Sequence, residues 1–132
     1  MTAVRADQAR TFLAFDFGTK RIGVAAGNTV SGTATPLETF AASTSHAVVG
    51  RLIDAWQPDA LVVGIPRHPD GAPHDNTRRA ERFARRLADR FKLPVHEVDE
   101  RYTSVEAESA GAADVDAAAA ALILEQHLRS LA

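Results

Sequence analysis

The run Ala60–Ile65 (ALVVGI) constrains the fold more than any other stretch of this chain. It is continuously apolar and too short for a helix, and it has no polar residue to offer solvent on either side. A strand of that kind must be covered on both faces, which calls for a sheet held between two helical layers. The flanking segments supply helices. Upstream, Val48, Val49, Leu52, Ile53 and Trp56 recur at helical spacing, with Ser43–Ser45 as N-cap candidates and Pro58 as the stop. Downstream, Thr77–Phe91 is amphipathic, with Ala80, Phe83, Ala84, Leu87, Ala88 and Phe91 along one face.

The remaining elements follow from alternation and turn chemistry. Thr11–Phe17 alternates and is rich in apolar residues. Gly18, Thr19 and Lys20 connect it tightly to a second strand, Arg21–Ala26, in a hairpin. A third strand covers Ala34–Phe40, after the Ser31-Gly32 turn, and another covers Pro94–Glu100. Pro66–Asp75 reads as a loop. Asp116–Leu131 is a helix whose alanine-rich start lets it pack very close to a neighbour. A leading antiparallel hairpin followed by strand-helix-strand units predicts an α/β fold, a mixed five-stranded sheet with helices on both faces. At 132 residues the chain holds one such domain, over 11–132, behind a flexible tail over 1–10.

Composition limits the chemistry. There is no cysteine, so any metal must be held by oxygen or imidazole. A net charge of -2 argues against coating nucleic acid by bulk electrostatics, but it leaves room for a local basic patch beside an acidic site. No apolar run approaches a bilayer span, and Met1–Arg10 has no signal-peptide core, so a cytoplasmic protein with no membrane contact is expected.

Three acids are candidates to carry chemistry. Asp16 sits inside an otherwise apolar strand, in FLAFDFGTKRIGVA (Phe12–Ala25), where a lone carboxylate is costly unless paired, metal-bound or at a solvent-facing edge. Its plainer reading is a strand-end cap on the Gly18 turn. Glu100 ends a strand in DERYTS (Asp99–Ser104), and alternation sends it to the face opposite Asp99 and Arg101. Taken alone it is a solvated strand end. Asp116 opens the last helix, where capping and the helix dipole favour an acid without any further role. Hard divalent cations need oxygen ligands, and two-metal phosphodiester chemistry needs carboxylates converging from separate elements. Spacing alone leaves their convergence open.

These stretches resemble the YqgF/RuvX family of Holliday junction resolvase-like or pre-16S ribosomal RNA nucleases. The likeness runs from Thr11 onward. It is carried by DFGTKRIGVA (Asp16–Ala25), VGIP with the Asp70-Gly71 turn, TRRAERFARRL (Thr77–Leu87), DERYTSVEA (Asp99–Ala107) and VDAAAAALIL (Val115–Leu124), in that order. The resemblance implies a ribonuclease H-like fold and a catalytic, metal-holding triad at Asp16, Glu100 and Asp116. It also implies Mg²⁺ or Mn²⁺ as cofactor, and structured RNA or branched DNA as partner. The implied activity is cleavage in 5′-end maturation of pre-16S ribosomal RNA, with junction resolution as the alternative. One departure is plain. Between Ala107 and Val115 the chain is shorter than the family's pattern, and no Lys or Arg occurs between Arg101 and Arg129.

Substrate contacts are expected from Lys20 and Arg21, just after Asp16, from Arg79 and Arg82 on an arginine-rich helix, and from Arg101, Thr103 and Ser104. Six arginines crowd Thr77–Phe91 with Glu81 and Asp89 between them, which reads either as a solvated mixed face or as a phosphate-tracking surface. His46, His96 and His127 have no zinc-site spacing. DFGTKRIG also has the form of an actin-like phosphate loop, but one domain lacks the partner lobe such enzymes need. A non-catalytic nucleic-acid-binding module is disfavoured by the three acids. The expected state is a monomer or weak homodimer.

Overall fold

A computed structural model describes residues 9–67, 70, 72, 76–100 and 115–131. Its strands are β1 (Thr11–Phe17), β2 (Arg21–Asn28), β3 (Ala34–Ala41), β4 (Ala60–Pro66) and β5 (Val95–Glu100). Its helices are α1 (Ser45–Trp56), α2 (Thr77–Phe91) and α3 (Val115–Ser130). The sheet order is β3-β2-β1-β4-β5. β1 and β2, and β2 and β3, are antiparallel, whereas β4 runs parallel to both β1 and β5. The mixed five-stranded sheet expected from the sequence is present, with β1 in the middle. β4 is buried along all but its last residue.

Alternation sorts the core into two layers. Leu13 and Phe15 of β1, Ile22 and Val24 of β2, and Leu61, Val63 and Ile65 of β4 meet the apolar faces of α1 and α2 on one side. Phe12, Ala14, Ala60, Val62 and Val98 meet Ile123, Leu124 and Leu128 of α3 on the other. The alanine-rich start of α3 packs as close as its composition allows, with Ala120 and Ala121 against Ala25.

Two details of the helix ends differ from expectation. The segment Ala42–Thr44 forms a 3-10 turn before α1, and Thr44 at the cap makes no side-chain bond into the helix. Its hydroxyl instead donates backward to the Ala41 carbonyl at 2.9 Å. The end of α1 is set by Gln57 in a left-handed conformation, its N–H donating to the Ile53 carbonyl, so Pro58 follows a stop already made. The start of α2 is tied to the end of β4 by the Thr77 hydroxyl, which donates to the Pro66 carbonyl.

Candidate active site

Strand pleat and register bring acids to one end of the sheet. Asp16 follows Phe12 and Ala14 in alternation and so lies on the α3 face of β1. Its register neighbours are Gly23 of β2 and Gly64 of β4. Both glycines are required by close approach. A Cβ at Gly23 would overlap the backbone of Asp116 and Ala117. A Cβ at Gly64 would strike the Ile123 side chain and stand 3.1 Å from Glu100 Oε2. The rung Gly23, Asp16, Gly64 is therefore a shelf, with the first turn of α3 resting on one side of Asp16 and the Glu100 carboxylate on the other. Glu100, the last residue of β5, is only 7% exposed, while Asp99 is exposed.

The electrostatics follow from that geometry. The Asp16 carboxyl is pushed up to about 9, first by burial, then by the Glu100 charge and their shared side-chain hydrogen bond, then by the Asp116 charge. Near neutral pH a proton sits between Asp16 and Glu100. Asp116 lies in the first turn of α3, and its Oδ2 pairs with Arg21 Nε at 3.2 Å. Asp16 and Glu100 are thus in direct contact, and Asp116 shares the shelf but is turned to Arg21. Among the described residues no three His, Asp or Glu side chains stand together as a ready-made cation site. The donor chemistry nonetheless fits a hard divalent cation: the set is all oxygen, and a cation could take the place of the proton on Asp16 and of the exposed Arg21 guanidinium. The Arg21 side chain is 72% exposed, so its pair with Asp116 is worth about 0.2–1 kcal/mol and is easily exchanged.

The basic residues fall into two groups. Lys20 and Arg21 line an open cleft of about 490 Å³ with Gly18, Thr19, Asn76 and Asp116, on the acidic side of the sheet. Arg79 and Arg82 do not join it. They line a second cleft, of about 650 Å³, on the α1–α2 face. Arg101, Thr103 and Ser104 lie outside the described residues. Three features escaped sequence reasoning: the glycines at positions 23 and 64, the role of Arg21 as partner to Asp116, and a stack of His96 on His127. Those two rings lie 4.9 Å apart, edge-on to Phe12, with both Nε2 atoms buried and unpartnered. Burial, then His96, then Arg10 lower the His127 pKa. Nothing in the pattern of spacing announced that pair. The Phe12 alternation and the helical phase of His127 could only have placed each ring on a face.

Similarity to known proteins gives the family and the fold. The family model described as "RuvX: Holliday junction resolvase" matches residues 10–130. A protein of Polaromonas sp. (strain JS666) named "Putative pre-16S rRNA nuclease" is 60% identical over 124 residues, covering 92% of this chain and 90% of its own. Proteins of the same name are 59% identical in Albidiferax ferrireducens, covering 92% of this chain and 80% of theirs, and 54% identical in Burkholderia pseudomallei, covering 92% and 89%. Among solved structures, Thermus thermophilus RuvC in complex with a Holliday junction substrate superposes with a TM-score of 0.62 at 14% identity, covering 92% of this chain and 95% of that one. A second RuvC structure from that organism gives 0.55. The fold is ribonuclease H-like, and the chain belongs to the RuvX family.

Proposed function

We propose that this chain is a metal-dependent nuclease that hydrolyses phosphodiester bonds in 5′-end maturation of pre-16S ribosomal RNA, in the cytoplasm, as a monomer or weak homodimer. The observation that carries this reading is the Asp16–Glu100 pair, two carboxyls held around one proton on a shelf cleared by two glycines. Family membership and the names of the close relatives support the reaction class and the RNA.

Asp16 and Glu100 would hold Mg²⁺ or Mn²⁺, with Asp116 as the third ligand once released from Arg21. Bound there, the ion supplies positive charge that activates water and stabilises the leaving oxygen. The chain's own residues do the rest. Asp16 must give up its proton for the acids to serve as ligands, so proton and ion compete, and cleavage at a low fixed ion concentration should rise with pH. Arg21, freed from Asp116, and Lys20 beside it are placed to neutralise the phosphate entering the cleft. Thr19 borders the same space.

A transcript carrying the 5′ leader of 16S ribosomal RNA tests the proposal directly. The parent should cut it with Mg²⁺ or Mn²⁺. Glu100→Gln should bind it at least as tightly, having lost a charge that repels phosphate, and should lose turnover by 10²-fold or more, on the order of one preorganised catalytic group. Undiminished cutting by Glu100→Gln would sink the assignment. The family description favours a second reading, branched DNA as substrate. A four-way junction in the same assay separates the two, since the preferred substrate is the one cut faster at equal salt.

A further inference from the structure

We propose that the cleft on the α1–α2 face is a subsite for an unpaired nucleotide of the substrate, reached by a strand that passes around the β1–β2 turn from the acidic cleft. This deepens the nuclease reading and rests on it. The first cleft lies at the β1–β2 turn, between Asp116 of α3 and Asn76 at the cap of α2, the second lies on the α1–α2 face, and Thr19 lines both. Adjacent residues of β1 point to opposite sides: Asp16 lies on the α3 side, where Asp116 borders the first cleft, and Phe17, one residue on, lines the second. A strand whose phosphate sits at the acids is therefore led across Thr19 into the second cleft.

What lines that cleft is chemically suited to one occupant. Arg79, Arg82 and Arg86 stand along one wall, spaced along α2 so that all three face it. None of the three has an ion-pair partner among the described residues, in contrast to Arg21, Arg51 and Arg67. Among the described residues no acid lines the space. Arg79 also donates to Asn76 Oδ1 at 3.4 Å, but three guanidinium groups with no described carboxylate among them favour an anion. The floor is apolar, and the half-buried Phe17 ring, tilted at 38° to Phe83 with centroids 5.2 Å apart, offers a face for a base. Ser43 and Ser45 line the same space. Phosphate neutralised by arginine beside a base stacked on an aromatic ring is how single strands are held without sequence readout. A volume of about 650 Å³ admits one or two nucleotides and excludes a double helix.

The test uses the full chain in metal-free buffer and reads binding by fluorescence anisotropy. Two probes share one RNA duplex, one blunt and one with a short single-stranded tail. The parent should prefer the tailed probe by about fivefold or more, the scale of one stacked base. Arg82→Ala and Arg86→Ala, both at exposed positions, should remove that preference and leave blunt-duplex affinity within twofold. Each should lower the salt slope on the tailed probe by about one. Phe17→Leu should lose part of the preference with the salt slope kept. Equal binding of both probes by the parent overturns the proposal, as does equal weakening of both by the arginine variants. Because no cleavage is read, an inert parent would remove the nuclease reading and leave this result standing.

Discussion

Asp16 is where residue chemistry shows most directly in folding. Its carboxyl ionises near pH 3.8 when exposed and near 9 in the folded chain. Below the lower value both states hold the proton. Between the two values only the folded state does, so this group's contribution to stability is lost as pH rises, until it levels off above about 9. Asp16→Asn has no such proton to lose. It should match the parent near pH 4 and exceed it by more than about 1 kcal/mol at pH 8, since each tenfold change in ionisation is worth about 1.4 kcal/mol. Urea denaturation at three pH values checks this, and a gap that does not vary with pH would mean the carboxyl is not held protonated. The aspartate was legible in the sequence because a charge inside FLAFDF has no cheap explanation. The partner of Asp116 was not, because Arg21 had an equally good reading as a phosphate ligand.

At the scale of elements, periodicity was enough. β1 is bounded as its alternation predicts, α2 buries Ala80, Phe83, Ala84 and Leu87 as its helical phase requires, and β4 is buried on both faces. What periodicity does not carry is docking. The sequence put Arg79 and Arg82 on one arginine-rich helix, but it could not say that α2 covers the sheet face away from the acids. Nor could it explain Gly23 and Gly64, whose reasons lie in residues far along the chain. Those reasons differ in kind. A Cβ at Gly23 meets rigid backbone of α3, whereas one at Gly64 meets chiefly the flexible end of Ile123. Gly23→Ala should therefore cost about 1–3 kcal/mol, the usual cost of overpacking, and Gly64→Ala clearly less. Thermal unfolding of the two variants ranks them, and the reverse order would mean that α3 does not rest on β2 as described.

The molecule as a whole is a sheet with unequal covers. The α1–α2 layer is fastened by bulky side chains, Phe15 edge-on to Phe83 among them. Across the sheet, the far half of α3 is fastened by Ile123, Leu124 and Leu128, but the half that carries Asp116 meets the strands through alanines. An alanine buries little apolar area, and at about 25 cal/mol per Å² the hold weakens in proportion. Local opening should therefore begin at the Asp116 end of α3, so amides of Ala119–Ala121 should exchange with solvent deuterium faster than those of Leu124–Leu128. Equal protection along the helix would show that it opens only as one piece. A close fit of backbone on glycine places an acid accurately while it is seated, yet does little to keep it seated. The carboxylate proposed as third ligand is thus mounted on the more weakly fastened half of α3, and under that proposal the fraction of time it spends docked sets a ceiling on how often the site is ready to cut.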